Sequence, residues 1–200
     1  MHDITRSEFR TIRFERDGDV LVATIDRPGN DLNAVNEDLH EDLTRLFREL
    51  KQETVARAVL LTGSGKAFSA GGDFAWFPEL QQPGRMDALR RDAKQLIWDL
   101  LDVEIPIVAA VNGHAMGLVN RAVPAGELHA TAMAFAKRLA EGAPLAVQFT
   151  KLAVNKLIKD ALNVSFDAAT ALEIVTFQSE DHREALAALR EKRKPRFTGR

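Results

Sequence analysis

Two short apolar runs that end in glycine constrain the fold more than any other feature of this sequence. They are AVLLTG, from Ala58 to Gly63, and IPIVAAVNG, from Ile105 to Gly113. Short apolar runs of this kind are typical of buried strands, which usually pair in parallel. Between the two runs, apolar residues recur at helical spacing, at Met86, Leu89, Ala93, Leu96, Ile97 and Leu100. The strand, helix, strand order predicts an α/β unit.

The segment before these runs predicts a hairpin and a capped helix. Thr11 to Arg27 alternates apolar and polar residues about Asp17-Gly18, a dipeptide suited to a hairpin turn. Asn36 is expected to cap the following helix. Its apolar face is Leu39, Leu43, Leu46, Phe47 and Leu50, and its solvated face is expected to be Glu37, Asp38, Glu41 and Asp42.

Beyond Pro124 the sequence shows helical patterns only. We expect one helix over 128–139, a second from Leu145 to Ile158, a third from Val164 to Phe177, and a fourth that begins at Ser179. The chain therefore divides near residue 125. Residues 1–125 form an α/β core, and residues 126–200 form a helical C-terminal region.

Composition excludes several classes of function. Two hundred residues with 46% apolar content suffice for one sizeable core, and a net charge of −2 gives no general attraction to nucleic acid. The absence of cysteine excludes disulfides, thiolate nucleophiles and iron–sulfur sites. The N-terminus has no apolar segment typical of a signal peptide, and no window approaches a membrane span, so we expect a cytoplasmic protein with no membrane partner.

A nucleotide site is not predicted, although GSGK resembles part of a phosphate loop. The full motif requires a glycine five residues before Gly65 and a hydroxyl residue after Lys66, and these positions hold Leu60 and Ala67. The dinucleotide fingerprint needs a glycine where Phe68 stands. None of the five histidines shows metal-ligand spacing.

Two glycine-rich loops follow the two buried strands and are the candidates for chemistry. KAFSAGGDF, from Lys66 to Phe74, is either a tight strand-to-helix turn or a set of exposed backbone N–H donors. NGHAMG is a second such place, where a helix start would add its positive dipole end. One amide from each loop would form an oxyanion hole for an enolate or a tetrahedral oxyanion.

These residues resemble the enoyl-CoA hydratase/isomerase family, which is the crotonase superfamily. The resemblance covers nearly all of the chain and rests on five segments: DRPGNDLNAVNEDL, KAFSAGGDF, IPIVAAVNGHAMG, LVNRAVPAGEL and EDHREALAALREKRKPRFTGR. It implies a crotonase-like spiral of strand–strand–helix units, followed by an α-helical C-terminal region that forms a homotrimer or a dimer of trimers. It also implies an acyl-CoA thioester substrate.

The resemblance assigns site residues by position. The oxyanion amides would be those of Gly72, which follows Ala70-Gly71, and Leu118, which follows Met116-Gly117. No metal or redox cofactor is implied, and coenzyme A is part of the substrate. The coenzyme A contacts that the resemblance suggests are Arg27, Lys66, Ala70, Asp73, Phe74 and Lys192.

One departure from the family pattern lies after the second loop. In the family, several dozen residues separate this turn from the Leu-Val-Asn-Arg stretch, whereas here Gly117 is joined directly to Leu118. The absent segment normally supplies the acid–base carboxylates, and the first expected position holds Arg121. Either the natural protein has a segment that these 200 residues lack, or the deletion is real. The first is favoured, because removing the element would expose apolar surface and helix ends.

The resemblance favours an enoyl-CoA hydratase, which adds water to a 2-enoyl-CoA. Other crotonase chemistry, such as enoyl-CoA isomerisation, is an alternative that the residues do not separate from hydration. A second alternative is a non-catalytic acyl-CoA-binding or assembly subunit that lacks the acid–base segment. A third is a purely structural oligomer component with no ligand.

Overall fold

The computed structural model describes residues 2–113 and 120–200. Within them four strands form one sheet in the order β1, β2, β3, β4. The strands are β1 (Ile12–Asp17), β2 (Val20–Ile25), β3 (Ala58–Gly63) and β4 (Ile107–Ala110). β1 and β2 pair antiparallel, and β2, β3 and β4 pair in parallel. The predicted hairpin and the predicted parallel pairing are therefore confirmed.

The hairpin turn lies one residue later than the sequence pattern suggested. Asp17 pairs with Val20, which leaves Gly18 and Asp19 as the two turn residues. Gly18 has a φ of 58°, in the left-handed region that this kind of two-residue turn requires and that glycine adopts without strain.

Six α-helices lie within the described residues. They are α1 (Glu37–Leu50), α2 (Phe77–Leu80), α3 (Arg85–Asp102), α4 (Leu128–Ala140), α5 (Pro144–Gln178) and α6 (Glu180–Arg190). The prediction of two helices over 145–177 was wrong, because α5 runs through both. Residues 159–163 contain neither glycine nor proline, so nothing in the sequence breaks the helix there.

The predicted helix starts are confirmed by side-chain caps. The Asn36 side chain accepts a hydrogen bond of 3.1 Å from the Leu39 N–H at the start of α1. Ser179 accepts one of 3.0 Å from the His182 N–H at the start of α6. Each cap satisfies a backbone donor that has no partner inside the helix.

Asp42 was wrongly assigned to the solvated face of α1. Its side chain is buried and accepts hydrogen bonds from the N–H of Arg10 (2.8 Å) and of Thr11 (2.7 Å). The Thr11 hydroxyl donates a third bond of 2.8 Å. Position 42 lies between the buried Leu39 and Leu46 on the helix, so the carboxylate faces the interior and fixes the chain just before β1.

Two apolar clusters cover the two faces of the sheet. On one face α1 and α3 pack against β2 and β3, around fully buried side chains such as Leu21, Leu39 and Val59. On the other face α4 packs through Met133 and Ala136. The sheet core is thus closed by residues that the 200-residue chain contains.

Helix α5 is attached to this core mainly by polar contacts at the end of α3. Lys151 donates to the carbonyl oxygens of Val103 and Ile105, the latter at 2.9 Å. Asn155 donates to the carbonyl of Leu101 at 2.8 Å. These bonds satisfy carbonyl groups that a helix end leaves without partners. Burial lowers the pKa of Lys151 to about 8.

None of the helices in the described parts of the chain has an apolar stretch of the length that crossing a membrane requires.

Candidate active site

A buried asparagine holds the first loop in place. Asn33 donates from its side-chain amide to the carbonyls of Ser64 (3.0 Å) and Ala67 (2.9 Å). Its side-chain oxygen accepts from the Arg27 N–H at 3.1 Å. The segment before α1 and the loop after β3 are therefore one hydrogen-bonded unit. Sequence reasoning missed Asn33, although an asparagine with a positive φ of 49° is a usual turn residue.

An isolated β-bridge between Val35 and Gly72 fixes the direction of the Gly72 amide. Val35 donates to the Gly71 carbonyl at 2.7 Å and accepts from the Asp73 N–H at 2.8 Å. Because backbone groups alternate in direction along an extended segment, the N–H of Gly72 points away from Val35. No described residue accepts a hydrogen bond from it, and Gly72 is exposed. It is a donor without a partner among residues 2–113 and 120–200, in a loop fixed by two backbone hydrogen bonds to Val35.

Phe77 explains why position 72 is glycine. A β carbon on Gly72 would lie 2.7 Å from one carbon of the Phe77 ring and 2.9 Å from another. The neighbouring Gly71 has a φ of 88°, which other residues rarely adopt. The two glycines therefore allow both the close approach of Phe77 and the turn that exposes the amide.

Two of the expected coenzyme A contacts pair with each other. The Arg27 guanidinium lies 2.7 Å from the Asp73 carboxylate, and both side chains are mostly buried. The backbone N–H of Ala75, together with Arg27, lowers the pKa of Asp73. Arg27 also donates to the Ala34 carbonyl at 2.5 Å. The structure thus gives this pair a role in joining the two segments, and their contact with coenzyme A stays a prediction.

The other expected contacts on the first loop are exposed. Lys66 pairs with Asp31 at 2.7 Å, and its side chain is 76% exposed, so the ammonium group can exchange this partner for a phosphate at little cost. The carboxylate of Asp31 raises the pKa of Lys66. Phe74 is 55% exposed. The N–H of Ala70 donates to the Leu32 carbonyl at 3.0 Å, so this N–H is not available to a ligand.

The second loop starts beside the first, as parallel strands require. The Asn112 carbonyl accepts from the Phe68 N–H at 2.8 Å, and its side-chain amide donates to the Gly65 carbonyl at 3.2 Å. Gly113 has a φ of 89°, and a β carbon there would lie 3.0 Å from the Lys66 carbonyl oxygen. The proposed second donor, Leu118, lies outside the described residues, so its place in the site stays a prediction.

Lys192 lies apart from this loop within the described residues. It follows α6, is exposed, and makes a backbone bond to the Leu189 carbonyl. Next to it Arg193 pairs with Glu184 and Glu191. A cavity of about 670 Å³ between α6 and the C-terminal tail is lined by side chains of both charges, which largely neutralise each other. The predicted phosphate contact of Lys192 is not tested by these contacts.

A general base is not evident beside Gly72. Asp73 is the one carboxylate between Lys66 and Phe74, and it is held by Arg27 and by the Ala75 N–H. Arg121 is exposed and positively charged. In the described part of the chain, the site therefore offers an amide donor without a free carboxylate next to it.

Comparison with known proteins assigns this chain to a family. The family model described as Enoyl-CoA hydratase/isomerase matches residues 15–117 and 115–200. The chain belongs to the enoyl-CoA hydratase/isomerase family. It is a member of the crotonase superfamily of acyl-CoA enzymes, as the sequence resemblance predicted.

Individual relatives agree with this membership. The chain is 27% identical to the probable enoyl-CoA hydratase echA8 of Mycobacterium bovis, over 96% of this chain and 99% of the relative. It is 26% identical to the short-chain-enoyl-CoA hydratase of Clostridium acetobutylicum, over 94% and 97%. The crystal structure of an enoyl-CoA hydratase/isomerase from Mycobacterium paratuberculosis has a TM-score of 0.76 at 27% identity, covering 89% of this chain and 98% of that one. The predicted crotonase fold is confirmed.

The same comparisons locate the internal gap. The two family matches meet at residues 115–117. The alignment with the Mycobacterium bovis relative spans 259 positions, 59 more than the 200 residues of this chain. The relative therefore carries residues with no counterpart here, and the interruption falls where the second loop is joined to Leu118.

Proposed function

We propose that the protein binds an acyl-CoA thioester and polarises its carbonyl group at the N–H of Gly72. The observation that carries this proposal is the Val35–Gly72 bridge, which leaves an exposed amide without a partner among the described residues. A donor held rigidly before the substrate arrives costs no reorganisation when negative charge develops on the carbonyl oxygen.

The amide of Leu118 is proposed as the second donor of the same oxyanion hole. The support is the junction between the loops, where Asn112 and Gly113 lie against Phe68 and Lys66. Strand β4 therefore brings the chain to the edge of the first loop at Gly113, five residues before Leu118 in the sequence. Each donor of an oxyanion hole contributes roughly a hundredfold to a thousandfold to the rate.

Hydration of a 2-enoyl-CoA is the reaction that we propose for this site. Two relatives that match along nearly their whole length are named enoyl-CoA hydratases. Hydration also needs a base that activates water and an acid that protonates the α carbon. Isomerisation between a 2-enoyl and a 3-enoyl thioester passes through a dienolate whose oxyanion the same donors would stabilise, and it is the nearest alternative within the family.

Two variants of Gly72 test the donor. Gly72→Pro removes the N–H, and we expect turnover of crotonyl-CoA to fall at least a hundredfold. Because any β carbon at this position meets the Phe77 ring, Gly72→Ala is the matched control that adds the contact and keeps the donor. An active protein in which Gly72→Pro turns over no more slowly than Gly72→Ala would refute the assignment.

A second function is favoured because no described residue places a free carboxylate beside Gly72 and because Arg121 stands at the expected base position. In this alternative the protein is an acyl-CoA-binding or assembly subunit without turnover. Calorimetric binding of butanoyl-CoA, measured beside hydration of crotonyl-CoA, separates the two functions. A structural component with no ligand would show neither. An intact mass above 22.2 kDa would show that the natural protein has the absent segment.

We further propose that the protein assembles through α5 into a homotrimer or a dimer of trimers. The outer face of this helix carries exposed apolar residues at alternating spacings of three and four, as in a helix seam: Val154, Leu157, Ala161, Val164, Ala168, Ala171 and Val175. Val164 is 83% exposed in the single chain. Light scattering should give three or six times the chain mass of 22.2 kDa. Val164→Glu should dissociate the assembly, Lys156→Glu should not, and a monomeric wild type would refute the proposal.

A further inference from the structure

A cavity of about 400 Å³ lies between α2, the start of α3, the end of α5 and the start of α6. Apolar residues form just over half of its lining and include Phe77, Leu80, Met86, Ile174 and Phe177. The other lining residues are polar: three glutamines, Asp87, His182 and Arg183. A concave space that combines apolar walls with polar groups is typical of a small-molecule site.

The cavity adjoins the proposed oxyanion donor through a single side chain. The Phe77 ring lies against Gly72 on one side and lines the cavity on the other. We take an acyl group whose carbonyl oxygen accepts from the Gly72 N–H to leave the first loop beside Phe77, the side chain nearest to Gly72. The space immediately beyond that ring is this cavity.

The aromatic rings at the cavity meet at steep angles. Phe77 and Phe177 have centroids 5.8 Å apart with an angle of 86° between their planes. His182 lies 4.7 Å from Phe177 at 66°, and 6.1 Å from Phe77 at 77°. Rings arranged in this way present both edges and faces to the space between them. A further ring can pair with them edge to face, which stabilises it beyond the burial of its area.

We propose that this cavity selects acyl groups that end in an aromatic ring, with Phe177 as the specificity-determining residue. The inference rests on the proposed function, because it takes Gly72 as the site of the thioester carbonyl. A linear acyl group would fill the same space without edge-to-face contacts. An aryl group would gain them from Phe177, His182 and Phe77 together.

Binding of two saturated thioesters tests the selectivity without any turnover. The probes are 3-phenylpropanoyl-CoA and 3-cyclohexylpropanoyl-CoA, which have similar length and apolar area and differ in ring character. Calorimetry on the wild-type protein should give a Kd about two- to tenfold lower for the phenyl thioester. Coenzyme A alone, without an acyl group, serves as the reference.

Two matched variants assign the preference to the cavity. Phe177→Leu keeps an apolar side chain and should bring the two Kd values within about twofold. Phe166→Leu is the control, since Phe166 is on the same helix and makes an edge-to-face pair with Trp98 instead, and it should keep the wild-type ratio.

The outcomes separate this inference from the proposed function. Equal binding of both thioesters by the wild type would overturn the aryl selectivity and leave the proposed function standing. Binding of neither thioester would overturn both. A preference that survives in Phe177→Leu would contradict the role of Phe177.

Discussion

The central strands and helix α5 differ in how much of each is buried. In β2 five of six residues are buried, and in β3 four of six. The structure describes all of α5, and within that helix Asn155 alone is buried. The two regions are therefore stabilised differently. The strands are held by apolar burial on both faces, whereas α5 is held by hydrogen bonds to the end of α3 and by aromatic pairs of Phe166 and Phe177. The first loop, Lys66 to Phe74, follows β3, so the candidate site depends on the well-buried region.

This difference bears on the absent segment. Its removal leaves the sheet covered on both faces, because α4 and the helices α1 and α3 pack against it. The exposed apolar surface is found on α5 instead, at side chains such as Leu157 and Val164. A second copy of the chain or the missing segment would both cover such a surface.

The largest expected effect is a core truncation in β3. Leu60 is fully buried, so Leu60→Ala should lower the free energy of unfolding by about 2–5 kcal/mol. Leu189→Ala, on the half-exposed side of α6, should change it by no more than about 0.5 kcal/mol. Urea denaturation of both variants measures the contrast. Equal losses would show that the helical region is as well packed as the sheet.

The second-largest expected loss of unfolding free energy comes from removing a buried polar contact beside the sheet. Asp42→Ala leaves the N–H groups of Arg10 and Thr11 without their acceptor, which should cost about 2–3 kcal/mol of unfolding free energy. Glu41→Ala, on the exposed side of the same helix, is the control and should be nearly neutral. If both variants lose the same amount in urea denaturation, the carboxylate of Asp42 has no special role.

The smallest expected change in the free energy of unfolding concerns Lys151, which lies in α5. Its pKa of about 8 in the folded chain lies below the usual lysine pKa of 10.5, so the unfolded chain binds more protons between these two pH values. Stability should therefore rise with pH across this window, by about 1 kcal/mol. Lys151→Met should remove this rise. Denaturation midpoints measured from pH 7 to pH 10 check it, and a rise of equal size in the variant would assign it to other groups.

Local signals made much of this structure predictable from sequence. The strands, the parallel pairing and the caps at Asn36 and Ser179 depend on neighbouring residues. The roles of Asn33 and Asp42 were not predictable, because their partners lie 31 to 34 residues away in the chain. The continuity of α5 was missed because the polar residues Lys159, Asp160 and Asn163 separate two apolar stretches, although they do not interrupt the helix.

The candidate site divides in the same way. The family motif identified Gly72, but the reason that its amide is free comes from the bridge to Val35, which no local pattern shows. Arg27 and Asp73 were both expected to contact the ligand, and their pairing with each other depends on the approach of two separate loops.

The central claim is that the Gly72 N–H polarises a thioester carbonyl, and isotope-edited infrared spectroscopy tests it most directly. Butanoyl-CoA labelled with carbon-13 at the carbonyl would be bound to the wild type, to Gly72→Ala and to Gly72→Pro. We predict that the carbonyl stretch shifts to lower frequency in the first two proteins and returns towards its solution value in Gly72→Pro. An unshifted band in the wild type, with the thioester bound, would contradict the account.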